Sequence, residues 1–260
     1  MKILFFDLDG TIFWDGKVSE SVVSAIKTVQ AAGNLAIVNT GRSFGFTPGA
    51  VKSCLDWDGF ICGTGHVTLG QKTLCNRVFT RETVCAIYDY CEQKGYSGHF
   101  EGETVMYVSC PTEETERVFE RRSRAENDIT WVRITREYID RLYDDMRITK
   151  VAVIGHIEPD EAARFPGVYS LDFGNAAEIY CNGFTKATGM ELIGRYLGIG
   201  RGDMIAFGDS LNDIDMIEYA GAGAVMEHAP EQLLSRASVT MPSGPDGVAL
   251  CLRTLFPELF

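Results

Sequence analysis

The sequence Phe-Phe-Asp-Leu-Asp-Gly-Thr at residues 5–11 decides how the rest of the chain is interpreted. The short apolar run Ile3–Phe6 is typical of a buried strand, yet it stops at two carboxylates, Asp7 and Asp9, followed by a glycine. Two close carboxylates repel each other, and burying charge is costly unless it is paired or bound to a metal. Either a cation lies beside this pair, or the pair faces solvent in an ordinary turn that ends the strand.

The composition is that of a globular protein whose charge disfavours anionic partners. The chain has 260 residues, of which 45% are hydrophobic and 23% charged, and its formal net charge is -12. This length suffices for one large core or for two domains. We expect no non-specific binding to nucleic acid or to an anionic membrane, whereas a small anion can still bind in a local positive field.

The cysteines and the first residues indicate a cytoplasmic protein. None of the 8 Cys forms a CxxC pair, and the four His are too scattered for zinc spacing. We therefore expect reduced thiols, and a disulfide framework is the less favoured alternative at this length. The apolar run before Asp7 is too short for a signal peptide, and no run approaches the ~20 residues of a membrane span.

Both ends of the chain carry the pattern of an α/β fold. Short apolar runs without strict alternation suit strands that are covered on both faces, as in a parallel sheet. These runs are Ile3–Phe6, Leu35–Val38, Phe60–Cys62, Met204–Phe207 and Ala222–Met226. Helical patterns lie between them, such as residues 19–32, which open on Ser19 and end at Gly33. We predict a Rossmann-like core with a parallel sheet flanked by helices.

The middle of the chain predicts a second, smaller α/β domain. Helical patterns cover 82–94, 112–126 and 136–146, and strand-like segments cover 103–109, 149–154, 167–173 and 177–181. Several helices with several β segments can form a separate domain. We place this domain at residues 81–181, inserted into a core made of residues 1–80 and 182–260.

Polar residues follow the predicted strands of the core. Ligands of open parallel sheets bind beyond the carboxyl ends of the strands, so these residues could share one crevice. They are Asp7, Asp9, Thr11, Thr40, Gly41, Arg42, Asp209, Asn212 and Asp213, with Lys186 near the start of the helix after Gly183. Carboxylates without His or Cys partners suit Mg²⁺, while a hydroxyl, a backbone N–H and a lysine suit a phosphate oxygen. This set suits phosphoryl transfer, which mainly needs positioning and charge neutralisation.

The four segments resemble the four motifs of the haloacid dehalogenase (HAD) superfamily of phosphohydrolases. Residues 7–11 match the first motif, 40–42 the second, Lys186 the third and 208–213 the fourth. The insertion of about 100 residues between the second and third motifs resembles the type IIB cap of the Cof-like subfamily. The segment 222–252 is similar to the end of that subfamily.

The resemblance implies roles for three aspartates in catalysis and metal binding. Asp7 would be the nucleophile and a ligand of Mg²⁺. Asp9 would be the general acid and base, and would bind Mg²⁺ through its backbone carbonyl. Asp209 would be the remaining protein ligand of the metal.

The resemblance also implies how the phosphoryl group is held. Thr40 and Lys186 would bind the transferring group, and the backbone N–H of Gly41 suits one of its oxygens. Asn212 would reach the phosphate or the substrate. Asp213 would support Lys186 or the waters of the metal.

Three departures from the family pattern concern the substrate side of the site. Ser210 stands where the fourth motif often has Asn, and the segment 63–66 replaces a common Asn-Gly-Ala run. Glu227 and His228 replace a usual Gly-Asn pair. None of these departures removes a catalytic group, and we interpret Arg42 as a salt-bridge partner.

The sequence therefore predicts an Mg²⁺-dependent phosphatase. Its substrate would be a phosphomonoester of a small metabolite, such as a sugar phosphate, a nucleotide or a cofactor phosphate, cleaved through an aspartyl-phosphate intermediate. Two alternatives stay open. One is a phosphomutase of the phosphomannomutase type, and the other is a non-catalytic protein that binds a phosphorylated ligand, although such a protein has no need for both Asp7 and Asp9.

Overall fold

The computed structural model describes residues 1–63, 65–125 and 129–260. Residue 64 of the segment 63–66 and the last residue of the predicted helix 112–126 lie outside these ranges. The described chain forms two compact units. The first unit, here the core unit, comprises Met1–Arg42, Thr47–Cys75 and Phe184–Phe260. The second, here the inserted unit, comprises Ser43–Phe46 and Asn76–Gly183.

The strands and helices are numbered in chain order. The strands are β1 (Ile3–Phe6), β2 (Phe13–Trp14), β3 (Lys17–Val18), β4 (Leu35–Thr40), β5 (Gly59–Cys62), β6 (His66–Leu69), β7 (Lys72–Asn76), β8 (Ser97–Glu101), β9 (Val105–Ser109), β10 (Thr130–Ile134), β11 (Lys150–Ile154), β12 (Val168–Asp172), β13 (Ala177–Cys181), β14 (Met204–Gly208), β15 (Ala222–Met226) and β16 (Val239–Met241). The α-helices are α1 (Glu20–Ala31), α2 (Gly49–Cys54), α3 (Arg81–Lys94), α4 (Glu113–Ala125), α5 (Arg136–Met146), α6 (Pro159–Ala162), α7 (Lys186–Leu197), α8 (Ile214–Tyr219), α9 (Glu231–Leu234) and α10 (Gly247–Leu255).

The core unit is built on an eight-stranded sheet in the order β16-β15-β14-β1-β4-β5-β6-β7. Neighbours from β16 to β5 are parallel, and β6 pairs with β5 in the antiparallel sense. Side chains of β1 alternate between the faces, so Leu4 and Phe6 join one apolar cluster with α1 and α10, whereas Ile3 and Phe5 join another with α7 and α8. This arrangement confirms the predicted α/β fold with a parallel sheet flanked by helices.

The chain order of the core sheet reverses around β1. From β1 the chain proceeds outward to β4 and β5 on one side, and it later returns to β14, β15 and β16 on the other. The register pairs Phe6 with both Val38 and Phe207, so β1, β4 and β14 end at similar levels. A ligand crevice is expected at such a switch point, outside the carboxyl ends of the strands.

The inserted unit has its own six-stranded sheet in the order β10-β9-β8-β11-β13-β12. Strands β9 and β10 are parallel, and the other neighbours are antiparallel. Side chains of α3 and α5, including Ile87 and Ile139, pack against the sheet in one apolar cluster. The predicted 81–181 segment lies inside this unit, which also includes residues 43–46, 76–80 and 182–183 that we had placed in the core. Its role as a cap stays a prediction.

Two general expectations can be compared with the fold. All eight cysteines are free thiols. Among the helices in the described part of the chain, none combines the length and the apolar composition that crossing a bilayer requires.

Candidate active site

Lys186 lies at the centre of the candidate site because α7 begins there. Thr185 caps this helix: its hydroxyl accepts the backbone N–H of Thr188, whose hydroxyl in turn accepts the backbone N–H of Thr185. The side chain of Lys186 is 1% exposed, and its Nζ lies 2.5 Å from Asp7 Oδ1 and 2.5 Å from Asp213 Oδ1. A buried ammonium is tolerated only when it is paired in this way.

The charges of this cluster shift one another's pKa. Burial acts to lower the pKa of Lys186, but the carboxylates of Asp213 and Asp7 outweigh it and hold the pKa above its usual value. Burial raises the pKa of Asp7 well above its usual value; Lys186 opposes that rise, and Asp213 adds to it. Lys186 therefore stays protonated, while the negative charge around it is only partly neutralised.

Asp213 is fully buried, and the turn after β14 holds it in place. Its Oδ2 accepts the backbone N–H groups of Asp209 and Ser210, each at 2.9 Å. A side chain at Gly208 would bring a Cβ within 2.6 Å of the Asp213 carboxyl carbon, so the turn requires glycine here. Both oxygens of Asp213 already have protein donors, which suits the supporting role predicted for it.

Asp209 follows β14 and faces the turn after β1. Thr11 Oγ1 donates to Asp209 Oδ1 at 3.0 Å, and His228 Nε2 lies 3.3 Å from Asp209 Oδ2. Burial, followed by the charge of Asp213, raises the pKa of Asp209. Asp7, Asp209 and Asp213 each offer an oxygen, and these three atoms lie within 4.8 Å of one another.

This donor set fits a divalent cation. Three carboxylates face one ammonium, which leaves a net charge of about -2 in a largely buried place. Asp7 Oδ2 has no hydrogen-bond donor among the described residues, since the only donor to Asp7 is Lys186 on Oδ1. Hard cations such as Mg²⁺ prefer such oxygen ligands. Asp7 and Asp209 are thus the residues that could hold the metal.

The side chain of Asp9 points to a different partner. Arg42 Nε donates to Asp9 Oδ2 and Arg42 Nη2 donates to Asp9 Oδ1, both at 2.7 Å. Roughly half of the Asp9 side chain is exposed. Each oxygen of Asp9 accepts one of these bonds and keeps a further lone pair for a proton, so the guanidinium orients the carboxylate without blocking it. Arg42 is the salt-bridge partner that we expected.

The remaining predicted residues lie at the same edge of the sheet. Thr40 is the buried last residue of β4, and its hydroxyl accepts the backbone N–H of Arg42 at 3.2 Å, across Gly41. Asn212 Oδ1 accepts from Ser210 Oγ at 2.8 Å and lies 3.5 Å from Lys186 Nζ. The structure thus places all the predicted site residues in the core unit, at or after the ends of β1, β4 and β14 or at the start of α7.

Three contacts of this site were not predicted. Thr11 was quoted within the first motif, but its bond to Asp209 could not be read from the pattern. His228 stood out only as a departure from the family. Asn39 donates from Nδ2 to the backbone carbonyl of Lys186 at 3.3 Å and so holds the start of α7, and nothing in the sequence signalled this role.

Comparison with known proteins extends the resemblance to almost the whole chain. Residues 4–252 match the family model of the haloacid dehalogenase-like hydrolases. The chain is 27% identical to YkrA of Bacillus subtilis over 98% of this chain and 97% of that protein. It is also 27% identical to a phosphoglycolate phosphatase of Methanoculleus marisnigri, over 100% of this chain and 99% of that protein.

A solved structure shares the fold over its full length. The HAD subclass IIB sugar phosphatase BT4131 superposes with a TM-score of 0.83 at 22% identity, covering 100% of both chains. The predicted family and the predicted enzyme class, a phosphoric monoester hydrolase, are confirmed by these matches, and the full-length likeness of fold is in keeping with the Cof-like subgroup. The chain belongs to the haloacid dehalogenase-like hydrolases.

Proposed function

We propose that this protein is an Mg²⁺-dependent phosphatase that hydrolyses a phosphomonoester of a small metabolite through an aspartyl-phosphate intermediate. The observation that carries the proposal is the position of Asp7. Its Oδ1 is held 2.5 Å from the buried Lys186 Nζ, while its Oδ2 has no donor among the described residues, and Asp7 itself directly follows the end of β1. A buried carboxylate with one oriented and one available oxygen suits nucleophilic attack.

The first half of the proposed reaction forms a bond from Asp7 to phosphorus. An oxygen of Asp7 attacks, the bond from phosphorus to the ester oxygen breaks, and Asp9 gives its proton to that leaving oxygen. Thr40, Gly41 and Lys186 would hold the phosphoryl oxygens from the sides of the crevice. Bound Mg²⁺, held by Asp7 and Asp209, would neutralise charge on the transferring group.

The second half returns the enzyme to its starting state. Asp9, now a carboxylate, takes a proton from water, and the oxygen of that water attacks phosphorus. The bond from phosphorus to Asp7 then breaks, which yields inorganic phosphate and the free carboxylate. The two hydrogen bonds from Arg42 fix the orientation of the Asp9 carboxylate in the structure. We propose that they set the direction from which Asp9 exchanges protons.

The nature of the substrate is proposed only as a class. Relatives that carry phosphatase names act on phosphorylated compounds, one of them named for phosphoglycolate and a structural neighbour for sugar phosphates. We propose a small phosphorylated metabolite, with no nucleic acid or membrane partner, and a cytoplasmic location in keeping with the eight free thiols.

The test is phosphate release from a panel of sugar phosphates, nucleotides and cofactor phosphates, with Mg²⁺ and with a chelator. We expect release only with Mg²⁺. We also expect Asp7→Asn to lower kcat/KM by at least about 1,000-fold, because an amide cannot serve as the nucleophile. The matched control is Asp203→Asn, which makes the same change at an exposed position before β14 and should keep full activity.

Other outcomes would identify the alternatives. An isomerised sugar phosphate without free phosphate would indicate a phosphomutase. Tight binding of a phosphorylated compound without any turnover would indicate a binding protein. Activity of the Asp7→Asn variant close to that of the wild type would refute the assignment of the nucleophile.

A further inference from the structure

His228 lies beside the candidate metal ligand Asp209, at a position where the family usually has Asn. It is the second residue after β15, and its Nε2 is 3.3 Å from Asp209 Oδ2. The side chain of Asp209 is 12% exposed and that of His228 is 39% exposed. The contact therefore lies at the rim of the site, and the mechanism above assigns no task to it.

The imidazole ring is fixed by contacts on its other sides. Ser243 Oγ lies 2.9 Å from His228 Nδ1 and also accepts the backbone N–H of His228 at 3.0 Å. The indole ring of Trp14 meets the imidazole edge to face, with centroids 5.6 Å apart. Trp14 is itself anchored, because its Nε1 donates to the backbone carbonyl of Thr11 at 3.0 Å. The ring is thus held in one orientation.

The hydrogen bonds around the ring assign its tautomer. An ionised carboxylate can only accept, so the nitrogen that faces Asp209 must carry a proton. In a neutral ring Nδ1 then accepts, and the hydroxyl of Ser243 donates to it while accepting the backbone N–H of His228. Each proton in this series of hydrogen bonds has one acceptor. The series begins at the backbone N–H of His228, passes through Ser243 and the imidazole, and ends with Nε2–H donating to Asp209 Oδ2.

The carboxylate of Asp209 is consequently fixed at both oxygens. Thr11 Oγ1 donates to Oδ1, and His228 Nε2 donates to Oδ2. The turn leaves little room beside Oδ2, because a Cβ on Gly10 would come within 2.4 Å of it. Each oxygen keeps lone pairs for a cation, and the orientation of the group is set before any cation arrives.

We propose that His228 is a positioning residue for Asp209 and that it raises the affinity of the site for Mg²⁺ by holding that carboxylate in place. This inference rests on the proposed function, since it assumes that Asp209 binds the metal. Partners that orient metal ligands typically change metal affinity by about 10- to 100-fold when they are removed. Ser243 and Trp14 act in turn by orienting the imidazole.

The test is the dissociation constant of Mg²⁺, measured by isothermal titration calorimetry on the full chain without substrate. His228→Leu removes the donor, and we expect binding about 10-fold weaker or more. His228→Gln keeps an N–H at similar reach, and we expect it to recover most of the loss. His156→Leu is the matched control on the inserted unit, where the imidazole pairs with Glu158 and Asp172, and the Mg²⁺ affinity of this variant should equal that of the wild type.

A thermal melt without Mg²⁺ separates positioning from folding. If His228 acts only by positioning Asp209, the His228→Leu variant should bind Mg²⁺ more weakly and keep the Tm of the wild type. If His228→Leu lowers the Tm, Ser243→Ala decides instead: it keeps the imidazole, removes the partner of its Nδ1 and of the His228 backbone N–H, and should weaken Mg²⁺ binding by about threefold or more. Wild-type affinity in the decisive variant overturns this inference alone. Absence of Mg²⁺ binding by the wild type overturns the proposed function and this inference together.

Discussion

Lys186 in the core unit and Lys150 in the inserted unit are both buried, and each lies between two carboxylates. Lys186 Nζ is 2.5 Å from Asp7 and 2.5 Å from Asp213. Lys150 Nζ is 2.6 Å from Glu178 and 3.6 Å from Glu101. The same set of one ammonium and two carboxylates therefore occurs twice, and the difference between the two clusters lies in what surrounds the carboxylates.

The Lys150 cluster is closed. Lys150 is directly opposite Glu101 in the register of β8 and β11, and Ser43 N–H donates to Glu101 Oε2 at 3.2 Å. Tyr180 donates its hydroxyl to Glu178 Oε2, and its ring lies 5.5 Å from Lys150 Nζ. Each of the four carboxylate oxygens has a protein partner within a regular sheet. Such a cluster joins strands, and the partners of its oxygens all come from the protein itself.

The Lys186 cluster is open. Its carboxylates lie in turns beyond strand ends, a third carboxylate is close by, and Asp7 Oδ2 has no donor among the described residues. The excess of negative charge and the available oxygen can be satisfied from outside the chain. Ion pairs between the hydrogen-bonded strands of one sheet and ion pairs in turns beyond strand ends thus differ in chemistry, although each lysine lies within 2.6 Å of at least one carboxylate.

Among the substitutions that distinguish the two lysine clusters, we expect the largest effect from Lys186→Met. We expect kcat to fall by about 100- to 1,000-fold, because a preorganised positive group at the transferring phosphoryl is lost. Mg²⁺ should bind as well as before or more tightly, since a repelling charge has gone. Steady-state kinetics and calorimetric titration measure the two quantities. Activity within tenfold of the wild type would contradict the comparison.

Lys150→Met is the same change in the closed cluster. We expect the free energy of unfolding to fall by about 3 kcal/mol, because two carboxylates are left without their buried counter-charge. The affinity for Mg²⁺ should not change, since no carboxylate of the site is touched. Urea denaturation and calorimetry provide the measurements. A changed Mg²⁺ affinity would show that the clusters are coupled.

His99 can be compared with the two lysines, because it is a buried basic side chain with no carboxylate partner among the described residues. It precedes Glu101 on β8, its Nε2 has no hydrogen-bond partner among the described residues, and its ring meets Trp131 edge to face. Burial, aided by the charge of Arg122, lowers the pKa of His99 to about 4. The unfolded chain therefore binds a proton more readily, and stability is lost as the pH falls below the unfolded pKa of about 6.5.

We expect this group to lower the free energy of unfolding by about 2 kcal/mol between pH 7 and pH 5. The His99→Gln variant has no ionisable group at this position, so its free energy of unfolding should lack the part of the pH dependence that His99 causes. Denaturation curves of both proteins at the two pH values give the difference, in which the titration of other groups cancels. Equal slopes would mean that His99 takes up a proton as readily in the folded protein as in the unfolded chain, so that burial does not lower its pKa.

The sequence predicted elements best where local pattern and final burial agree. Strands β1 and β15 and helix α5 match the predicted bounds, because an unbroken apolar run or an apolar face at helical spacing reports burial directly. Strand β8 was missed, since Gly98, His99 and Glu101 do not look like a buried strand. Its burial is supplied by neighbouring strands, which a local pattern cannot show.

The candidate site was predicted in its members and not in its contacts. Asp7 and Lys186 are 179 positions apart, and only the rule for strand ends of parallel sheets and the resemblance to a family brought them together in advance. The two hydrogen bonds from Arg42 to Asp9 and the hydrogen bond from His228 to Asp209 depend on side-chain directions at turns. These directions follow from the packing of several elements, so no spacing rule could supply them.

The place of β1 at the middle of the core sheet has a consequence for how the chain is made. One edge of β1 can pair with β4 soon after synthesis, but the other edge receives β14, where Asp7 N–H bonds to Phe207 O at 2.9 Å. During translation the whole inserted unit leaves the ribosome in between. The nascent core therefore carries an unpaired apolar strand edge for most of its synthesis, the period when a chaperone would protect it from aggregation.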